Sequence, residues 1–284
     1  MNHIGILSNP TQESIAQPVV QLAKRLSERG ASVLLADDLE SICKFPSGQF
    51  CTKEYLAEKS DVLVAMGGDG TILRAAALVQ DYNKPILGVN LGRLGFLAGA
   101  EPSELEEGLD RFLAGDYTVE SRMALVAEID GQSIFALNEV VVERAVSARM
   151  VQVKTWIDDA AVSSFWGNGL ILSTPTGSTS YSLSSGGPIV HPDLDALILT
   201  PISPHSLTLR PLVVPGNQTV TVQISAAHSD IVLSADGRTV AEMQAEEQVL
   251  VKKASQPVRL INLQGLSFYD VLRRKLDWSL DRRM

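Results

Sequence analysis

Two textures of apolar residues divide the chain. Over roughly the first 120 positions, short continuous apolar runs alternate with stretches of helical spacing, the pattern of an α/β layer with a parallel sheet. Residues 3–7 predict a first strand, and residues 13–29 a helix closed by Gly30, a residue suited to the turn after a helix. Residues 33–35, 61–66 and 85–89 predict further strands, while 71–80 and 102–113 carry helical periodicity.

From about residue 118 the runs become short and β-rich, separated by polar turns such as Asp130-Gly131. Strands are expected over 123–129, 133–143, 151–157, 162–166, 170–172, 212–214, 219–224, 231–234, 248–252 and 258–262, which reads as a second, all-β domain. Residues 268–276 then predict a closing helix that packs back on the first domain. No repeat or low-complexity tract interrupts the series.

Composition narrows the function classes. A net charge of −9 supplies no basic surface for nucleic acid or anionic lipid, and 5% aromatic residues leave little for base stacking. An anionic ligand must therefore be held by local devices such as glycine turns and helix N-termini. Four histidines (His3, His191, His205, His228) and two cysteines (Cys43, Cys51) are too scattered for a zinc spacing or a disulfide framework. The N-terminus lacks the pattern of a signal peptide, and no apolar stretch reaches spanning length, so cytoplasmic residence is expected.

Three segments carry candidate chemistry. The strand over 62–66 runs directly into Gly67-Gly68-Asp69-Gly70-Thr71 and a helix. Glycines let the backbone approach a phosphate or ribose, and the helix start offers free N–H groups to an anion. A plain helix cap at Asp69 or Thr71 would give a similar turn. A carboxylate crowded between glycines favours a base that reaches a bound hydroxyl. Arg74, one turn into that helix, either meets a phosphate or faces solvent. The second segment is Asn138-Glu139, a polar pair inside an apolar run and weak evidence by itself. The third, residues 173–188, packs hydroxyls and glycines after the apolar run 170–172 and can offer many neutral hydrogen-bonding groups to sugar, base and phosphate. Arg149 and Arg210 sit near strand ends, where basic residues are usually at the surface, and Asp236-Gly237-Arg238 reads as a hairpin turn that also has a chance to touch ligand.

In this order the segments closely resemble the NAD kinase family, of the bacterial type, and the match runs nearly end to end. It is carried by the GGDGT loop at 67–71, the NE pair at 138–139, the GNGLILSTPTGSTSYSLSSGGPIV stretch over 167–190, the β-rich tail with Asp236-Gly237, and the closing Phe268-Tyr269 and Leu276-Asp277-Trp278. The resemblance implies transfer of the γ-phosphoryl of ATP, with Mg2+ or another divalent cation, to the adenosine-ribose 2′-hydroxyl of NAD. It implies a Rossmann-like α/β domain (1–120, with 266–284 returning to it) followed by a β-sandwich NAD-binding domain (121–265), the dinucleotide in the cleft between them, and a homodimer or homotetramer.

By the same resemblance Asp69 is the catalytic base and Gly70 leaves room for the ribose. Asn138 and Glu139 hold the adenosine and its ribose, while Thr179, Ser180, Tyr181 and Ser182 line the adenine and nicotinamide pockets. Arg74, Arg149, Asn168, Thr176 and Arg238 complete the candidate ligand set, with no resident metal site. Asn168 stands where the family usually has Asp, and Arg238 where it commonly has Gln. Two alternatives stay open on the residues alone: a lipid or sugar kinase sharing the GGDG loop, and a non-catalytic NAD(P) sensor. Nucleic acid and membrane are not expected as partners.

Overall fold

The computed structural model describes residues 3–11, 13–45, 49–92, 95–145, 149–225 and 231–278. His228 and the Arg93-Leu94 pair after the fourth expected strand lie outside them. The chain forms two compact units, residues 1–121 with 258–284 and residues 122–257.

The first unit begins β1 (His3–Ser8), α1 (Ala16–Glu28), β2 (Ser32–Ala36), β3 (Gln49–Cys51), α2 (Lys53–Lys59), β4 (Val62–Gly67) and α3 (Asp69–Val79). It continues with β5 (Pro85–Asn90), α4 (Pro102–Ala114) and β6 (Thr118–Arg122). β4 is buried along its whole length and β5 at every residue after Pro85, as expected where helices cover both faces of a parallel sheet. β3 and α2 are additions to the expected set; both are short, and α2 is marked mainly by its cap, the Thr52 side chain accepting from the Tyr55 N–H.

The second unit holds β7 (Leu125–Ile129), β8 (Gln132–Ala136), β9 (Glu139–Arg144), β10 (Val151–Ile157), β11 (Ala160–Gly167) and β12 (Gly169–Ser173). After the short helix α5 (Tyr181–Ser184) come β13 (Ala196–Ile202), β14 (Leu212–Pro215), β15 (Val220–Ser225), β16 (Ile231–Ala235), β17 (Arg238–Met243) and β18 (Gln248–Lys253). They make two six-stranded antiparallel sheets, β11-β10-β15-β18-β7-β8 and β14-β13-β12-β9-β16-β17. One core built from alternate residues of both, among them Val153, Val222, Val251, Val142, Leu172 and Leu233, fills the space between them, which makes the unit a sandwich. β13 and β17 are absent from the expected strands; β13 is an interior strand in spite of Pro201 near its end, a residue that usually argues against one.

The single run expected over 133–143 is two strands. β8 belongs to one sheet and β9 to the other, so the chain changes sheet at Leu137-Asn138. The chain then returns to the first unit through β19 (Val258–Asn262) and α6 (Phe268–Leu276). β19 was expected among the sandwich strands; it instead joins the parallel sheet, whose order is β3-β2-β1-β4-β5-β19-β6. Its apolar pattern is equally suited to either sheet, and only the tertiary pairing decides. α6 starts with a capping box between Ser267 and Asp270, and its Lys275 ammonium lies 5.6 Å from the Phe96 ring centroid.

Candidate functional site

In the first unit β1 pairs with β2 on one side and β4 on the other, so the connections from β1 and β4 leave in opposite directions. Open α/β sheets leave a crevice at such a switch point, beyond the carboxyl ends of the strands. A cavity of about 400 Å3 occupies it, floored by Gly67, Gly68, Asn90 and Gly92 and walled by Ser14 and Pro18. Beside it, sharing Pro18 and Pro102, is a smaller pocket of about 120 Å3 lined by Leu22, Met66, Val89 and Leu105. Gly68 is the N-cap of α3 without a side-chain cap, which leaves N–H groups of the first turn for a ligand.

Asp69 opens α3, half-buried. Its carboxylate accepts the Phe96 N–H on Oδ2 at 2.8 Å and the Leu97 N–H on Oδ1 at 3.2 Å. Each oxygen keeps a further acceptor direction, so the group is oriented yet open. The loop reaches it only because residue 95 is glycine, since a Cβ there would collide with the carboxylate. Arg74 turns back along its helix and donates to the Thr71 hydroxyl at 3.2 Å. Gly70 is exposed, with open space where a Cβ would stand.

The second unit gathers its candidates at the sheet-changing corner. Asn138 and Glu139 are buried there, and Asn138 Oδ1 and Glu139 Oε2 have no hydrogen-bond partner among the described residues. Residues 174–184 pack on the outer face of the β9–β12 pair, and many of their hydroxyls tie the segment down. Thr174 donates to the Leu137 carbonyl at 2.8 Å, and Ser178 accepts from the Val190 N–H at 3.0 Å. Gly177 sits against the Asn138 backbone, where a Cβ would strike its carbonyl. The Ser180 hydroxyl donates to Glu139 Oε1 at 3.3 Å, and half-exposed Tyr181 directs its hydroxyl at Glu143 Oε2, 3.5 Å away. Thr176 is buried, its hydroxyl without a partner among the described residues, and the Thr179 hydroxyl donates back to the Thr176 carbonyl. Ser182 is placed differently: it is wholly buried, and its hydroxyl bonds Thr200 at 2.8 Å, so it supports the wall from behind.

Burial, and after it the nearby Asp236 charge, push the Glu139 carboxyl up to about 7, against the opposing hydrogen bonds from Ser180 and the Tyr181 backbone. In the sequence Asp236 read as part of a hairpin turn with a chance to touch ligand, not as a partner of the Asn138–Glu139 pair. Its carboxylate is buried and accepts the N–H groups of Leu137, Asn138 and Glu139. The polar break at Leu137-Asn138 within an apolar run was the one signal of this corner; nothing in the sequence pointed from it to residue 236.

Three candidates lie apart from Glu139. Asn168 sits at the opposite end of the β9–β12 pair, where Arg144 Nε donates to its Oδ1 at 2.9 Å. Five strand residues separate Glu139 from Arg144, roughly 17 Å. Arg149 is exposed ahead of β10, and Arg238 is exposed at the start of β17, where its charge favours the ionised form of Asp236. No cluster of three His, Cys, Asp or Glu suited to a metal occurs among the described residues, and no described helix is long and apolar enough to cross a membrane.

A glycine-floored crevice at a helix start, beside an oriented, half-open carboxylate, suits the passage of a phosphoryl group to a hydroxyl, and by class the chain is a phosphotransferase. Comparison with known proteins specifies it. The ATP-NAD kinase N-terminal domain matches residues 4–117, and the ATP-NAD kinase C-terminal domain matches residues 137–263. The NAD kinase of Heliobacterium modesticaldum is 41% identical over 97% of this chain and 99% of its own, and that of Christiangramia forsetii is 37% identical over 99% of both. Among solved structures, yeast NADH kinase complexed with NADH superposes with a TM-score of 0.87 at 25% identity, covering 98% of this chain and 87% of that one. The Archaeoglobus fulgidus NAD kinase in complex with ATP gives 0.76 at 26%, covering 97% and 96%. The chain belongs to the NAD kinase family and has NAD kinase activity, with NAD and ATP as its substrates.

Proposed function

We propose that Asp69 orients the adenosine-ribose 2′-hydroxyl of NAD and takes its proton as that oxygen bonds to the γ-phosphorus of ATP and the bond to the β-phosphate oxygen breaks, releasing ADP and NADP. The observation that carries this is the pair of amide bonds from Phe96 and Leu97, which aim the carboxylate without consuming its acceptor capacity. A divalent cation such as Mg2+, bound to ATP as part of the substrate, would supply charge neutralisation at the phosphates. The crevice over Gly67, Gly68 and Gly92 takes the phosphate chain against the start of α3, and Gly70 leaves space for the ribose. Arg74 is one turn away, held by Thr71 until phosphate competes for it.

In the second unit Asn138 Oδ1, Glu139 Oε2 and Thr176 Oγ1, buried and without a partner among the described residues, are available to the dinucleotide, with Thr179, Ser180 and exposed Tyr181 as its wall and Ser182 behind them. Asn168, Arg149 and Arg238 serve other parts of the ligand or a second copy of the chain. A homodimer or homotetramer is supported by β11, an edge strand with exposed Val162 and Trp166. A cytoplasmic, reducing setting accords with Cys43 and Cys51, both free.

The test supplies purified protein with NAD, Mg2+ and ATP. NADP phosphorylated at the adenosine 2′ position is expected, and Asp69→Asn should still bind NAD by calorimetry while turning over little of it. Full turnover by Asp69→Asn would remove the base from the mechanism.

A further inference from the structure

The corner at Leu137-Asn138 raises a backbone problem. Where the chain leaves one sheet for the other, amides lose their regular ladder partners, and buried amides need replacements. Asp236 supplies them. Its Oδ2 accepts the Leu137 N–H at 2.9 Å, and its Oδ1 accepts those of Asn138 at 2.7 Å and Glu139 at 3.3 Å. The Asp236 N–H in turn donates to the Glu139 carbonyl at 3.0 Å. An ordinary Asp-Gly hairpin leaves its carboxylate in water. Here only 9% of the residue is exposed, and its φ of 49° turns it into this position.

We propose that Asp236 is a positioning residue for the dinucleotide site, clamping the Asn138–Glu139 pair through these four hydrogen bonds. The inference rests on the reading of that pair as ligand-contacting. Its second element is electrostatic. The groups that face Glu139 are Asp236 from the β16–β17 turn, with Arg238 behind it, and Ser180 and the Tyr181 backbone from the segment over the sheet. Glu143, along the same strand, is itself pushed up by burial and receives the Tyr181 hydroxyl. Asp236 therefore opposes ionisation of Glu139 and helps it keep a proton near neutrality. A protonated Glu139 offers one donor and further acceptors, the set that matches a ribose hydroxyl.

Asp236→Asn tests both elements. It keeps an Oδ1 for Asn138 and Glu139, sets an NH2 against the Leu137 N–H, and removes the charge. Calorimetric affinity for NAD should fall roughly tenfold while the KM for ATP stays within about twofold. The limb near neutral pH in NAD binding should move to lower pH. Asp236→Glu, which restores the charge on a longer arm, should recover the limb more fully than the affinity. If Asp236→Asn does not fold, Asp236→Glu is read by the same measurements against wild type.

Unchanged NAD affinity with an unchanged pH limb overturns the proposal. So does an equal loss for NAD and ATP that tracks a lowered melting temperature, the signature of a merely structural role. Asn138→Ala, run in parallel, separates this from the underlying reading. If it leaves NAD affinity intact, the pair is not a ligand site and both fail; if it weakens NAD while Asp236→Asn does not, only the positioning role fails.

Discussion

Asp69 and Asp236 are each held by the N–H groups of consecutive residues, Phe96 and Leu97 for one and Leu137 to Glu139 for the other, yet they sit in opposite surroundings. Asp69 is half-buried, next in sequence to Gly68 of the crevice floor. Asp236 is closed in beside a second carboxyl, Glu139. Backbone amides orient a carboxylate in either setting, whereas solvent access decides what it does next. In the open case the group can take up a proton from a substrate. In the closed case its charge acts on a neighbour, because little water screens it.

Mutations can break this comparison at either end. The largest effect is expected from Asp69→Asn, with turnover down about a thousandfold, within the range for loss of a general base, and a melting temperature near that of wild type. Glu139→Gln addresses the closed site through stability. Its carboxyl goes from the ordinary 4.5 to about 7 on folding, so the folded state binds the extra proton. The resulting stability is fully present below about pH 4.5 and is lost as the pH rises through about 7, a change of up to about 3 kcal/mol. Glu139→Gln should flatten that decline in denaturant unfolding, leaving the smaller same-signed slope from Asp236, whose acid is also raised by burial. A decline of unchanged steepness would show that Glu139 ionises normally.

Gly95→Ala sharpens the open site. The added Cβ pushes on the Asp69 carboxylate, and turnover should fall about tenfold with NAD affinity retained, as a displaced but intact base requires. The smallest effect belongs to Asn168→Ala, which removes the bond from Arg144 and should cost about 1 kcal/mol in unfolding free energy, with little change at either carboxylate.

The same contrast explains what the sequence revealed. The GGDGT loop is local: strand, turn, carboxylate and helix are contiguous, so their chemistry is legible in one segment. Most first-unit strands and the α6 helix were legible for the same reason, through runs and caps. The Asn138–Glu139 corner is assembled by residues about a hundred positions apart, and Asp236 resembles any hairpin aspartate until its partners are known. Likewise β19 has an apolar pattern fit for either sheet, and β13 carries a proline that local rules count against it. The hydroxyl-rich segment was legible as a dense set of hydrogen-bonding groups but not in its division of labour, because Ser180 and Ser182 differ only in which way they face.

The place of β19 between β5 and β6 has a consequence for synthesis. β6 leaves the ribosome long before its partner strand exists, and at ordinary elongation rates the wait is on the order of ten seconds while the whole sandwich is made. During that interval β5 and β6 both present unpaired edges, the kind of surface that invites aggregation or capture by a chaperone. Thr118 and Glu120 of β6 meet their Asn262 partners only at the end, so the parallel sheet closes as a late checkpoint that a chain broken off early does not pass.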